Sequence, residues 1–288
     1  MKILATHISE EQIDIVVLVL TAAGINWQIE KDGLFYTVLV GEADMDRAVD
    51  NLCRYVEENP SPANHLEFEP APYGKSLAGI GMALCLLLIH AVVLHLSRNQ
   101  FFRRLYDASS EHILSGEVYR AATALFLHQD AHHLLSNMLG ISIFGSICCS
   151  MAGWGLGTFL ILCSGILGNL FTAFFYGDVW HRSMGASTAV FGAVGLISGM
   201  AFLQKYHVPK KRFSAFLPLG SALVLLGFFS AGEHTDILAH LFGLVSGIAL
   251  GGMWMAAASR LRPGKFQLAF LFAGIGIVAL SFLSPLYI

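Results

Sequence analysis

Charged side chains are scarce in this chain. Lys, Arg, Asp and Glu make up 13% of its 288 residues, about half the share that soluble globular domains carry. Set beside a 55% hydrophobic content and a mean hydropathy of +0.64, that shortage excludes a protein soluble throughout and places the chain in a lipid bilayer. A basic surplus is missing too. A net charge of −3 offers no general attraction to a phosphate backbone, so no nucleic-acid partner is expected. Cysteine is sparse and shows no ligand spacing: Cys53, Cys85, Cys148, Cys149 and Cys163 mostly fall in apolar runs, where free buried thiols are usual. There is no HExxH, and no acid or cysteine completes a ligand set with His128, His132 and His133. Neither a metal nor an organic cofactor is expected. The N-terminus lacks a basic region, and its apolar run 13–23 contains Asp14 and is too short to span, so no cleavable signal is expected.

Much of the charge that exists lies in the first 75 residues. Residues 1–60 read as a small soluble α/β domain in the order βαββα, a ferredoxin-like or similar half-sheet. Its second helix sets Met45, Ala48, Val49, Leu52 and Val56 on one face. Pro60, Pro62, Pro70 and Pro72 mark a linker over 61–76. Seven apolar runs follow, at about 77–97, 133–151, 155–176, 187–204, 214–231, 236–257 and 267–286, each near the roughly 20 residues a helix needs to cross. Lys205, Lys210, Lys211 and Arg212 follow the fourth, and Arg260, Arg262 and Lys265 follow the sixth. Both loops are therefore expected to be cytoplasmic, which puts the N-terminal domain inside. Arg98, Arg103, Arg104 and Arg120, in the long connection after the first run, go against that rule. The amphipathic character of this connection suggests a segment partly in the membrane interface.

Polar residues inside such runs carry the functional signal. Gly243, Gly247 and Gly251 follow His240 on its own helix face, and Gly192, Gly195 and Gly199 form a second small stripe below Ser187. Two smooth faces allow close helix approach in lipid, which a hydroxyl nucleophile and its imidazole base require. Glycine stripes also serve plain helix packing, so this signal alone leaves both readings open. His133 and Asn137, four apart, share a face, and both can donate hydrogen bonds to a developing oxyanion. His128, five positions before His133, faces elsewhere and reads as a brace for the loop. Asp236 lies one turn before His240 and reads as a helix cap rather than a third catalytic member. Asn169 reads as an interhelical hydrogen-bond partner.

Taken in order and spacing, His128-x4-His133-x3-Asn137, Gly185-Ala186-Ser187 and Ala239-His240-Leu241-Phe242-Gly243 resemble the signatures of the rhomboid intramembrane serine proteases. Glu117-Val118-Tyr119-Arg120 looks like that family's Trp-Arg element with tyrosine for tryptophan. Gly165-Ile166-Leu167-Gly168-Asn169-Leu170 looks like its glycine–asparagine third span. The resemblance implies an all-α polytopic membrane protein with a six-helix core over 77–257 and an added seventh helix within 258–288, preceded here by the α/β domain. It implies Ser187 as nucleophile and His240 as general base. His133 and Asn137 would line the oxyanion hole, and Arg120 and Glu117 would structure the first loop. It also implies transmembrane protein substrates and a dyad without an acid. One departure stands out: the family's usual glycine after the serine is Thr188 here, a residue able to narrow the site or cap the helix. Short loops and the missing targeting peptide point to a bacterial plasma membrane; the oligomeric state is left open.

Overall fold

A computed structural model describes residues 1–8, 10–32, 35–59, 75–96, 101–177, 179–206, 212–229, 236–258 and 266–286. Two compact units emerge, Met1–Gly74 and Lys75–Ile288. The expected linker falls almost wholly outside the described residues, as do Lys210, Lys211, Arg260, Arg262 and Lys265 of the loops that set the expected orientation.

In the first unit the order is β1 (Lys2–Ile8), α1 (Glu10–Ala22), β2 (Trp27–Asp32), β3 (Phe35–Val40) and α2 (Met45–Glu58). The sheet order is β1-β3-β2, antiparallel throughout, with Trp27 opposite Val40 and Lys31 opposite Tyr36. Ile13, Val16 and Leu20 of α1, Val38 and Val40 of β3, and Ala48 and Leu52 of α2 share one apolar core. Val49 does not join it and is 37% exposed. One position beyond Ala48, it is turned by about 100° around the helix, so the buried stripe is narrower than the sequence reading drew it.

The second unit is helical. It comprises α3 (Ala78–Leu96), α4 (Phe101–Tyr106), β4 (Ala108–Ser109), α5 (Ser110–Leu114), α6 (Arg120–Thr123), α7 (Ala131–Gly140), a π-helical stretch over Ile141–Gly145, and α8 (Ser146–Ala152). Next come α9 (Trp154–Tyr176), β5 (Arg182–Ser183), α10 (Ser187–Tyr206), α11 (Leu217–Phe229), α12 (Ile237–Ala258) and α13 (Gln267–Leu283). Among the described residues, five helical stretches are long and apolar enough to cross a bilayer: Ala78–His95, Ala131–Ala152, Trp154–Tyr176, Ser187–Tyr206 and Ile237–Ala257. The remaining two expected spans appear as the shorter apolar helices α11 and α13. The chain is a multi-pass membrane protein.

The centre of the bundle is α10, 67% buried over its apolar window where the other long spans are 28–39% buried. Its main partner is α12, and small residues explain why. A Cβ added at Gly243, Gly247 or Gly251 would run into the carbonyl oxygens of Thr188, Gly192 and Leu196 respectively. On the facing helix, a Cβ at Gly195 or Gly199 would meet the carbonyls of Leu244 and Ile248. The α12 glycines and Gly195 and Gly199 of α10 therefore face each other, backbone against backbone over three turns, while Gly192 makes room for Ser164 of α9.

Candidate active site

Ser187 opens α10 and is half-buried. The turn before it is held at two points. Gly185 N–H donates to the Ala124 carbonyl (2.9 Å). Ala186 N–H points to His128 Nε2 (3.4 Å). Gly185 has φ +134°, a conformation that side-chain-bearing residues rarely adopt. Space makes the same demand. A Cβ at Gly185 would lie 2.7 Å from both Cε1 and Nε2 of His133 and 3.5 Å from Nδ2 of Asn137.

The chain thus brings the expected oxyanion donors over the turn that presents the serine. Asp130 caps α7, its Oδ1 accepting the His133 N–H (2.8 Å). Asn137 Nδ2 donates back to the His133 carbonyl (3.0 Å), which ties the two donors together one helical turn apart. His128 is buried, and its ring stands edge-on to that of His133, with centroids 5.2 Å apart. It does not face away from the site: its Nε2 lies against the Ala186 N–H of the turn before Ser187. His90 of α3 sits edge-on to His128 at 6.1 Å.

His240 is buried in the first turn of α12, and its ring stacks on Phe191 of α10 (centroids 4.5 Å apart, planes 29° apart). Phe191 is one turn below Ser187, so the imidazole lies on the nucleophile's helix. Thr188 points elsewhere. It is buried, and its methyl packs against α9 and α12: a Cβ at Gly168 would lie 2.6 Å from Thr188 Cγ2, and one at Gly243 would lie 3.1 Å from it. The departure from the family's glycine therefore fills a three-helix junction.

Arg120 and Glu117 lie in the connection after α3. Arg120 is buried and serves as a hub. Its Nε donates to Glu117 Oε2 (2.7 Å), and its Nη1 donates to the Arg104 carbonyl (2.7 Å) and to Asp107 Oδ1 (3.3 Å). Tyr119 donates to the same Glu117 oxygen at 2.8 Å. Arg182 Nε lies 2.9 Å from the other Asp107 oxygen, and β4 pairs with β5 through Ala108–Ser183 and Ser109–Arg182. The connection is thereby stitched to the segment that leads into Ser187. Burial pushes the Asp107 carboxyl up, even though Arg182 and Arg120 pull it the other way, as expected where taking charges out of water costs more than pairing returns. Asn169 Nδ2 of α9 donates to the Ala121 carbonyl (2.9 Å), the interhelical bond expected of it.

Asp236 caps α12: its Oδ1 accepts the Ala239 N–H (3.1 Å). Its Oδ2 lies 3.1 Å from His181 Nε2, and the His181 ring stacks flat on Tyr176 at 3.8 Å. This pair clamps the segment before Ser187 to the start of the helix bearing His240, and nothing in the sequence linked those two positions. Burial opposes ionisation of Asp236, but hydrogen bonds from His181 and the Ala239 N–H hold its carboxyl below the usual range. A carboxyl depressed in the folded state stabilises fully above the unfolded value, about 3.9, and loses that contribution as pH falls through the folded one. Asp236→Ala is therefore expected to cost about 1 kcal/mol or more at neutral pH through the lost cap. Asp236→Asn keeps a capping oxygen and loses only the charged contact with His181. In thermal melts of purified protein, the gap between wild type and Asp236→Asn should close below about pH 4.

A family model described as "Rhomboid domain" matches residues 115–257. Rhomboid-like protease 2 of Toxoplasma gondii is 30% identical over 181 residues, which cover 62% of this chain and 62% of that protein. Rhomboid-like protease 3 of the same organism is 30% identical over 190 residues, 64% of this chain and 70% of that protein. Inactive rhomboid protein 2 of Homo sapiens is 29% identical over 169 residues, 57% of this chain and 19% of that protein. The chain thus spans less than two thirds of the first of these relatives and about a fifth of the last.

Proposed function

The chain belongs to the rhomboid family, and we propose that it hydrolyses peptide bonds in or near the transmembrane segments of other membrane proteins. The observation that carries this reading is the convergence on one turn: His133 and Asn137 lie over Gly185, Ser187 starts the next helix, and His240 rests on that same helix one turn down. Relatives named as proteases support it. In the proposed reaction His240 takes the proton from Ser187 Oγ, and the oxygen attacks the substrate carbonyl. His133 and Asn137 donate to the oxygen of the tetrahedral intermediate. The C–N bond then breaks as His240 returns the proton to the leaving amine, and water hydrolyses the acyl-enzyme by the same route. Because a helical substrate hides its backbone, it must unwind where it is cut, and helix-weakening residues are expected there. The proposal keeps the N-terminal domain on the cytoplasmic side, from the cation-rich loops after α10 and α12. The relatives named above come from eukaryotes, so the bacterial plasma membrane expected from the sequence draws no support from them.

Relatives named inactive supply the rival, a client-binding protein that does not cut. A fluorophosphonate probe separates the two. It should label wild type covalently and leave Ser187→Ala unlabelled; a folded wild type that resists the probe would favour the binding role. His133→Ala and Asn137→Ala should each lower turnover about 10²–10³-fold with unchanged melting temperature. Loss of fold instead would mark them as structural.

A further inference from the structure

A cavity of about 510 Å³ lies between α3, α9 and α13. Its wall is apolar, built from residues such as Met82, Leu162, Phe270 and Ile275. The hydroxyl of Thr158, also in the wall, is engaged with the Trp154 carbonyl (2.7 Å). Such a space stays free of water and takes apolar guests. It is held open by how α13 is fixed. At one end Gln267 Oε1 accepts the N–H groups of Gly155 (2.7 Å) and Leu156 (3.0 Å), filling donors that the start of α9 leaves unpaired. At the other end Tyr106 donates to the Phe282 carbonyl (2.9 Å), and the two rings meet at 5.1 Å. Between these anchors α13 touches α9 and stands off α3. Gly81 and Cys85, which line the cavity from α3, are exposed on the bundle surface, so the space opens outward into the bilayer. Its inner wall includes Ala186 and Ala189, which bracket Ser187.

We propose that this cavity binds one acyl chain of a bilayer phospholipid, with the headgroup outside it at the interface. The size selects the guest. A transmembrane helix about 10 Å across fills roughly 400 Å³ per turn, so the cavity would hold little more than one turn of a partner helix, whereas a single hydrocarbon chain can thread it. The apolar wall, with Thr158 already engaged, favours hydrocarbon over a headgroup or a charged small molecule. Inserted chain would rest against Ala186 and Ala189, behind the turn that presents the serine.

The test uses full-length protein in phosphatidylcholine nanodiscs doped with phosphatidylcholine carrying a mid-chain diazirine, with irradiation, digestion and mass spectrometry. Adducts should concentrate on Met82, Cys85 and Ile275, several-fold above Leu88 and Phe272, which are exposed elsewhere on α3 and α13. Gly81→Leu and Gly274→Leu fill the space: a Cβ at Gly81 meets nothing within 4 Å, and one at Gly274 meets Leu162 at an ordinary 3.6 Å. Each should remove most cavity adducts and spare those at Leu88 and Phe272. Equal labelling inside and outside the cavity, or cavity labelling that survives both fillings, would overturn the proposal. So would a cavity labelled by a free diazirine fatty acid and not by the phospholipid, or one closed to lipid by a second protein helix. Should both variants fail to fold, the wild-type distribution of adducts decides alone.

Discussion

Ser187→Ala is expected to abolish cleavage of a reporter membrane protein while the bundle stays folded. The change removes one oxygen at the first position of a 20-residue helix whose packing rests on other residues. Loss of a favourable helix-start residue costs about 1 kcal/mol, too little to unfold the chain. The catalytic cost is of another order. Without the nucleophile only substrate positioning and the oxyanion donors remain, and the rate should fall by at least about 10⁴-fold. His240→Ala should match it, because nucleophile and base act as a unit, and the double variant should be no slower than either single one. His240→Ala also strips the ring that stacks on Phe191, so its melting temperature must be read alongside its rate. Cleavage at a substantial fraction of the wild-type rate in either variant would break the assigned dyad.

What the sequence disclosed follows from which constraints are local. Glycines spaced along two spans announce two faces that approach closely, because in lipid only small residues let backbones touch. The α12 stripe meets α10 as read, and Gly195 and Gly199 of α10 face it in turn, whereas Gly192 faces Ser164 of α9. His133 and Asn137 share a face by helical spacing alone. Contacts between distant loops leave no such trace. The bond from Ala186 to His128 and the clamp of His181 on Asp236 depend on how the loop after α9 folds against its neighbours, and the approach of His90 depends on how α3 packs against the segment before α7. Arg120 was singled out only through the Trp-Arg-like element, and its partners Asp107 and the Arg104 carbonyl belong to a separate helix and turn. Thr188 was ambiguous for a related reason. A side chain at a helix start can turn toward the site or toward the neighbouring helices, and the glycines at 168 and 243 make the room that draws it inward.

Those same glycines yield the second large effect. Gly243→Ala adds a single methyl, in a helix where alanine is intrinsically the better residue by about 1 kcal/mol. The added carbon would nonetheless overlap the Thr188 carbonyl oxygen, a backbone atom in the first turn of α10 that cannot rotate away. Relief requires α12 to shift, and His240 shifts with it, away from the helix that begins with Ser187. A displacement of about 1 Å at a catalytic pair can cost 10²-fold in rate, so Gly243→Ala should lose activity on that order while still folding. Gly247→Ala, whose Cβ would meet the Gly192 carbonyl, should behave alike. Gly252→Ala is the control on the same helix: its Cβ would find only Leu203 Cδ1 at 3.7 Å, and it should keep wild-type turnover with equal or higher thermal stability. Reporter cleavage and melts of the three variants give the answer. Wild-type activity in Gly243→Ala would mean that the spacing of α10 and α12 does not set the reaction geometry, whereas equal losses in all three would trace the effect to the helix itself rather than to the contact.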